Sequence, residues 1–323
     1  MKAKVVVMGG GTGTFPVVSG LKHEKVQIST VIAVSDSGGS TGRIRDEFGF
    51  QPVGDLRQAL AALAESQGEE WIRKILLYRF AKGNGLQGHN VGNLILTALQ
   101  DMTGDTTKAL EIAEKVFRLE GKVIPVTSDN VQLKIVYEDG SSMVGEHILD
   151  ERHDVTKKIR TVELIPHAEV SPLAAKAIQQ ANLIVIGPGD YYASLMATLV
   201  PDGIRESFAK TKAKVVYVVN LMTRFTQTHE MTANDHVTGI EKAIGRKVDF
   251  ILMNSQPIPE KFLQLYAKEH EFPVVDDLDG DGRVIRAEVL SEQLNQKAQS
   301  DTAHRSLLRH DPEKLRRVLA KLL

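Results

Sequence analysis

Lys4-Val5-Val6-Val7-Met8-Gly9-Gly10-Gly11-Thr12-Gly13-Thr14 decides the fold. A short β-branched run reads as a buried strand, glycines and threonines follow, and a helix is expected from about Phe15. In a doubly wound α/β sheet an anion is held at such a junction. Glycine lets the backbone approach a phosphate, and the helix start offers N–H groups and a partial positive charge. Gly10, Gly11, Thr12 and Gly13 are therefore candidate ligand contacts, with a plain strand-to-helix turn as the alternative. On the ligand reading, Gly11→Val should abolish binding with little loss of fold. The dinucleotide fingerprint is incomplete, because Thr14 stands where its third glycine belongs, and no Gly-Lys-Ser or Gly-Lys-Thr completes a phosphate loop.

The same rhythm recurs along the chain. Ser29–Val34, Leu183–Ile186, Lys214–Val219 and Phe250–Met253 are further Val/Ile-rich strand candidates. Alternation of such strands with amphipathic helices predicts a Rossmann-like, mainly parallel sheet with helices on both faces. Residues 1–323 are read as a single Rossmann-like domain. Residues 55–119 form a helical excursion in which Leu56, Ala59, Leu60 and Leu63, and then Val91, Leu94, Ile95 and Ala98, make apolar stripes. Residues 122–165 form a small β-rich insertion, with Val131–Tyr137 alternating, Asp139-Gly140 turning and Met143–Ile148 returning antiparallel. Asp311 and Pro312 open a last helix whose apolar face, Leu315, Val318, Leu319 and Leu322, docks on the core.

Three more loops carry candidate site residues. After the second strand come Asp36, Ser37, Gly38, Gly39 and Ser40, with Arg43 and Arg45 beyond them. Asp36 could take ribose hydroxyls or hold magnesium, and the glycine run makes a second anion nest beside the first. Asn90 and Asn93, with His89, stand where a helix opens; Asn90 could be an N-cap and no more. Gly187, Gly189 and Asp190 end another strand, with Asp190 readable as a cap. Four glycine-marked turns of this kind suggest one shared cleft.

Composition narrows the function. The 40 basic and 41 acidic residues give a formal charge of −1, which opposes nucleic-acid binding, since that needs a broad basic face. Zero cysteine removes disulfides, thiolate catalysis and cysteine-ligated metals. No apolar run approaches the ~20 residues of a membrane span, and the first residues do not form a signal peptide, so a soluble, cytoplasmic protein is expected. Aromatics at 5% argue against stacking platforms.

Taken in order, Gly9–Gly13, Asp36–Arg45, Pro52-Val53-Gly54-Asp55-Leu56-Arg57, Gly88–Asn93, Gly187–Tyr191, Asn220-Leu221-Met222-Thr223, Asp235-His236-Val237 and Arg309-His310-Asp311 resemble the YvcK-type gluconeogenesis factors. These are relatives of the CofD 2-phospho-L-lactate transferases, and the resemblance covers essentially the whole chain. It implies a nucleotide-type ligand, with UDP-sugars expected. It also implies a regulatory role linking carbon metabolism to cell-wall synthesis and cell shape, with the cell-wall machinery as a partner. Tyr266 and Arg309 match positions tied to nucleotide-sugar binding; from the residues alone, Tyr266 could equally be a core aromatic and Arg309 a surface charge. Where the family usually has an Asp-Asp pair, this chain has Asp36-Ser37, which weakens a metal-dependent transferase and favours binding.

Other signals are weaker. Asp277–Gly282 with Glu288 fits a calcium-loop pattern, but Pro273 rules out the entering helix, so an Asp/Gly turn is expected. The ten histidines show no zinc spacing, and His236 is read as structural or as a ligand contact. No G-x-S-x-G elbow appears. The expected function is a nucleotide-sugar-binding regulator without an assigned cofactor. The alternative is a magnesium-dependent transferase using Asp36, and a nicotinamide oxidoreductase comes third. Oligomeric state, including a homo-oligomer, stays open.

Overall fold

The computed structural model describes residues 2–64, 70–151, 157–292 and 306–323. The chain opens β1 (Ala3–Gly9), α1 (Gly11–Leu21), β2 (Val26–Ile32), α2 (Gly39–Phe48), α3 (Gly54–Leu63), α4 (Glu70–Leu77), α5 (Val91–Thr103) and α6 (Thr106–Val116). There follow β3 (Gly121–Pro125), β4 (Gln132–Tyr137), β5 (Ser142–Val144), α7 (Ile148–Glu151), β6 (Ile159–Ile165), α8 (Pro172–Gln180) and β7 (Leu183–Ile186). A π-helical turn (Tyr191–Met196) runs into α9 (Ala197–Leu199), then come α10 (Ile204–Lys210), β8 (Lys214–Val218), α11 (Ala233–Ile244), β9 (Phe250–Asn254), α12 (Glu260–Ala267), β10 (Val284–Ala287) and α13 (Pro312–Leu319).

Among the described residues, seven strands form one sheet in the order β10-β9-β8-β7-β1-β2-β3. Every neighbouring pair is parallel. Such a sheet is covered on both faces, which is why Val5–Met8 and Leu183–Ile186 are apolar without alternation and buried throughout. The order grows one way from β1 through β3 and the other way from β7 through β10. Between β1 and β7 the direction of winding reverses, and loops leaving the two strands diverge to open a crevice. The register Val5↔Leu183 to Met8↔Ile186 brings the ends of these strands level. β5, β4 and β6 make a separate antiparallel sheet, with Gly140 (φ +83°) in the turn between β4 and β5.

Several expectations need correction. The β-rich segment expected over 122–165 is divided, because Gly121–Pro125 pairs with β2 at the edge of the main sheet and only 132–165 supplies the small one. The returning strand stops at Val144, and Ile148 begins α7. β2 spans Val26–Ile32 rather than Ser29–Val34. Helix α1 starts at Gly11, not near Phe15, so the glycines and threonines form its first turn. In α5 the buried face is Gly92, Asn93, Leu96, Thr97 and Gln100, one position away from the apolar stripe, and Ala98 is exposed. Hydrophobic periodicity misses that face because it contains amides and a hydroxyl that are hydrogen-bonded inside. The last helix behaves as read: the Asp311 carboxylate caps the Lys314 amide (2.9 Å), and Leu315 and Leu319 are buried. It packs on α1 so closely that a Cβ on Gly20 would lie 2.3 Å from the Pro312 carbonyl oxygen.

Candidate functional site

A cavity of ≈ 520 Å³ lies at the carboxyl ends of the strands, over the β1/β7 switch point. Its floor comes from the starts of three helices: Thr12 and Gly13 of α1, Gly39, Ser40 and Thr41 of α2, and Gly54, Asp55 and Arg57 of α3. The N-cap positions of these helices are Gly10, Gly38 and Val53, and none of these residues caps its helix through its own side chain. A helix start without a side-chain cap leaves its first N–H groups for solvent or a ligand.

The glycines of the first loop have a different task from the expected one. A Cβ on Gly11 would lie 2.1 Å from the Asp55 carbonyl oxygen, and one on Gly10 would lie 2.3 Å from the Ser194 hydroxyl. Neither residue lines the cavity. Gly13 does, but a Cβ there would meet the Pro188 carbonyl oxygen at 2.3 Å. These glycines bring α1 against α3 and against the loop after β7, so the Gly11→Val expectation is corrected: a valine displaces α3 before it meets any phosphate. The loop after β7, which includes Gly187 (φ +77°) outside the cavity and Gly189 and Asp190 on its wall, is fixed by Asn220. The Asn220 side chain donates to the Gly189 carbonyl (2.9 Å) and accepts from its amide (3.4 Å). Asp190 precedes the π-helical turn without capping it through its side chain.

The second glycine loop is held from both sides. The Ser37 hydroxyl, behind the wall, bonds the His147 ring at Nδ1 (2.9 Å) and accepts from the His147 amide (3.0 Å). Ser40 bonds His89 Nδ1 (3.2 Å) and accepts from the Asn93 side chain (3.4 Å). Burial, then the charge of Arg43, pushes the His89 pKa down, which favours the neutral ring. Asn90 is the N-cap of α5, accepting from the Asn93 amide (3.2 Å), and does not line the cavity. Asn93 does, and its side-chain oxygen has no hydrogen-bond partner among the described residues. Asp36 accepts from the Gly38 amide (2.9 Å), and a Cβ on Gly54 would lie 2.2 Å from its other oxygen. Its carboxylate thus sits on the start of α3, where the helix dipole favours it.

Arg43 is exposed and outside the cavity, and Arg45 pairs with Asp46. The guanidinium groups on the cavity wall are instead those of Arg57, Arg79, Arg224 and Arg309. Arg224 stands between two carboxylates, with Asp190 and Glu271 each 3.9 Å away. Burial pushes the Glu271 carboxyl up to about 7, against the pull of Arg224. Tyr266 lies behind the wall in a small apolar cluster with Met222, Phe262 and Leu308. Its hydroxyl bonds Ser306 (2.8 Å) and accepts from the Leu308 amide (2.8 Å), and Ser306, Leu308 and Arg309 line the cavity.

Sequence reasoning left Asp55, Arg57, Asn220 and Arg224 out of the candidate contacts. Each follows a strand end or opens a helix, the same signal that marked Gly10 and Gly187. Glu271 carries no such signal, since it leaves α12 far along the chain. His236 is fully buried, bonded to the Thr232 carbonyl (2.7 Å) and set edge-on to Tyr191, which is the structural reading. In the Asp277–Gly282 turn, Asp281 pairs with Arg283, while Asp276 and Asp279 pair with Arg286. No helix enters there, as expected. Among the described residues no group of three or more His, Asp or Glu side chains could hold a metal ion. Nor is any helix of the described residues long and apolar enough to cross a membrane.

This fold and site define a Rossmann-like α/β protein with an open crevice at its topological switch point. The chain belongs to the CofD family: the family described as 2-phospho-L-lactate transferase CofD matches residues 5–295. It is 37% identical to the gluconeogenesis factor of Bacillus subtilis over 325 residues, covering 100% of this chain and 98% of that one. It is also 39% identical to the gluconeogenesis factor of Halalkalibacterium halodurans over 279 residues, 85% of each chain. A crystal structure of a UPF0052 family member from Bacillus halodurans superposes with a TM-score of 0.89 at 35% identity, covering 99% of both chains.

Proposed function

We propose that this protein binds a nucleotide-sugar, of the UDP-sugar type, in the switch-point cavity and acts as a cytoplasmic regulator. The observation that carries this reading is the convergence on one cavity of α1 and α2, whose N-cap residues, Gly10 and Gly38, bring no side chain to their helix starts. Its wall adds the guanidinium groups of Arg224 and Arg309. Two adjacent helix starts suit a diphosphate, whose negative charges need N–H donors and cations. The remaining wall, with Leu221, Thr223 and Tyr191, has the mixed apolar and polar character that a base and a sugar require. The names of the relatives support a role in carbon metabolism, and UDP-sugars, as cell-wall precursors, would extend it to wall synthesis and cell shape. Calorimetry with UDP-N-acetylglucosamine, with and without magnesium, should give saturable heat; none at millimolar ligand under either condition would end the reading.

The family description favours a second reading, a transferase acting on a nucleotide donor. Asp36 and Asp55 both line the cavity and could meet a magnesium ion brought in with the phosphates. Release of nucleoside monophosphate from a donor in the presence of magnesium and an acceptor would establish it. Binding without release would leave the regulator.

A further inference from the structure

Helix α3 and the π-helical turn Tyr191–Met196 are buried almost throughout, and their exceptions coincide. Every residue of Gly54–Leu63 is buried except Asp55 and Gln58, which stand three positions apart and so share one face of the helix. In the π-helical turn every residue is buried except Ser194. All three line the cavity. They meet over the start of α1: a Cβ on Gly10 would lie 2.3 Å from the Ser194 hydroxyl and 2.8 Å from an Asp55 carboxylate oxygen. One on Gly11 would lie 2.5 Å from the Cβ of Gln58.

Among the described residues the Ser194 hydroxyl and the Gln58 amide make no hydrogen bond within the protein, yet neither is sealed off from solvent. Because the residues around them in α3 and in the π-helical turn are buried, the opening that reaches them is the cavity itself. A hydroxyl and an amide both donate and accept hydrogen bonds, and a carboxylate accepts them. None of the three side chains is a cation, and the Asp55 carboxylate opposes an anionic group beside it. The corner is therefore built for neutral hydroxyl groups.

We propose that Asp55, Gln58 and Ser194 form the sugar subsite of the cavity, hydrogen-bonding the hydroxyl groups of a sugar attached to the diphosphate. The inference rests on the nucleotide-sugar reading and deepens it. A diphosphate at the starts of α1 and α2 carries a group at each end, and the chemistry of the walls distributes them. The nucleoside goes to the side of Leu221 and Thr223, and the sugar to the corner between α3 and the π-helical turn. There each sugar hydroxyl can donate to Asp55 and accept from Gln58 or Ser194. A nucleotide without the sugar leaves these side chains to water.

The test compares UDP-N-acetylglucosamine with UDP, by calorimetry on the full-length chain and on two variants, Gln58→Leu and Ser194→Ala. Each substitution removes hydrogen-bonding atoms with little change of shape. Each should weaken binding of UDP-N-acetylglucosamine about tenfold while leaving that of UDP unchanged. Retained UDP binding and melting temperature then show that the variant is folded and that the nucleotide end of the cavity is intact. If both folded variants bind the sugar nucleotide as tightly as the parent, the subsite is overturned and the nucleotide-sugar reading stands. An equal loss with both ligands in folded variants has the same consequence, because it places the nucleoside or the phosphates in this corner. If the parent itself does not bind UDP-N-acetylglucosamine, both are overturned.

Discussion

Gly11 in α1 faces the main chain of Asp55 in α3 so closely that a Cβ would sit 2.1 Å from the Asp55 carbonyl oxygen. The glycine is needed for helix packing. Gly11→Val should therefore cost about 3 kcal/mol or more of stability, by forcing a backbone shift in a close-packed core. Urea denaturation checks this, and a stably folded variant that merely fails to bind ligand would contradict it.

Gly38 is the informative position in the second loop. It has an extended backbone (φ −89°, ψ 154°), and the nearest atom to a Cβ there is an Asp36 oxygen at 3.6 Å. Gly38→Ala should leave stability unchanged or raise it by about 0.5 kcal/mol, since the unfolded chain loses freedom. Its methyl group lies at the cavity beside the start of α2. On the proposed function, calorimetry should show nucleotide-sugar affinity reduced at least several-fold with the melting temperature retained.

Glu271 should give the protein a pH-dependent stability of unusual sign for a carboxylate. Its folded pKa, about 7, exceeds its unfolded value, so the folded state binds the extra proton between these limits. The stability linked to that proton is fully present below the unfolded pKa and is lost as pH rises through 7. Glu271→Gln should remove this slope and make the protein more stable than its parent at pH 8, by up to about 3 kcal/mol. Denaturation midpoints at pH 5 and pH 8 decide the matter; parallel profiles for the two proteins would refute it.

Tyr266→Phe keeps the ring in its apolar cluster but removes the hydroxyl that binds Ser306 and Leu308. The loss should be about 1 kcal/mol of stability. Because Ser306, Leu308 and Arg309 line the cavity, affinity for a nucleotide-sugar should also fall. Unchanged affinity in this variant would show that the wall is held without Tyr266.

The pattern of short apolar runs followed by glycine turns made the parallel sheet legible, because strands buried on both faces must be apolar throughout and their exits must turn sharply. For the same reason the capped last helix was legible from Asp311 and Pro312, and the small hairpin from Asp139 and Gly140. The crevice was half legible. Thr12, Gly13, Asp36, Gly38, Gly39, Ser40, Asn93, Gly189, Asp190 and Arg309 do line it. Of its cations Arg309 showed, but Arg57 and Arg224, which reach it from α3 and from the loop after β8, did not, since a helix start or strand exit does not by itself say that an arginine there faces the crevice.

Local sequence determined which segments become strands, which become helices, and that several exits carry glycine. It could not say what each glycine makes room for. That depends on which backbone lies opposite, and only the packed structure brings Asp55 against Gly11, Pro188 against Gly13 and Asp36 against Gly54. The same holds for Glu271: its protonation is set by burial and by partners distant in sequence, and these exist only once the sheet has placed the ends of β7 and β8 side by side.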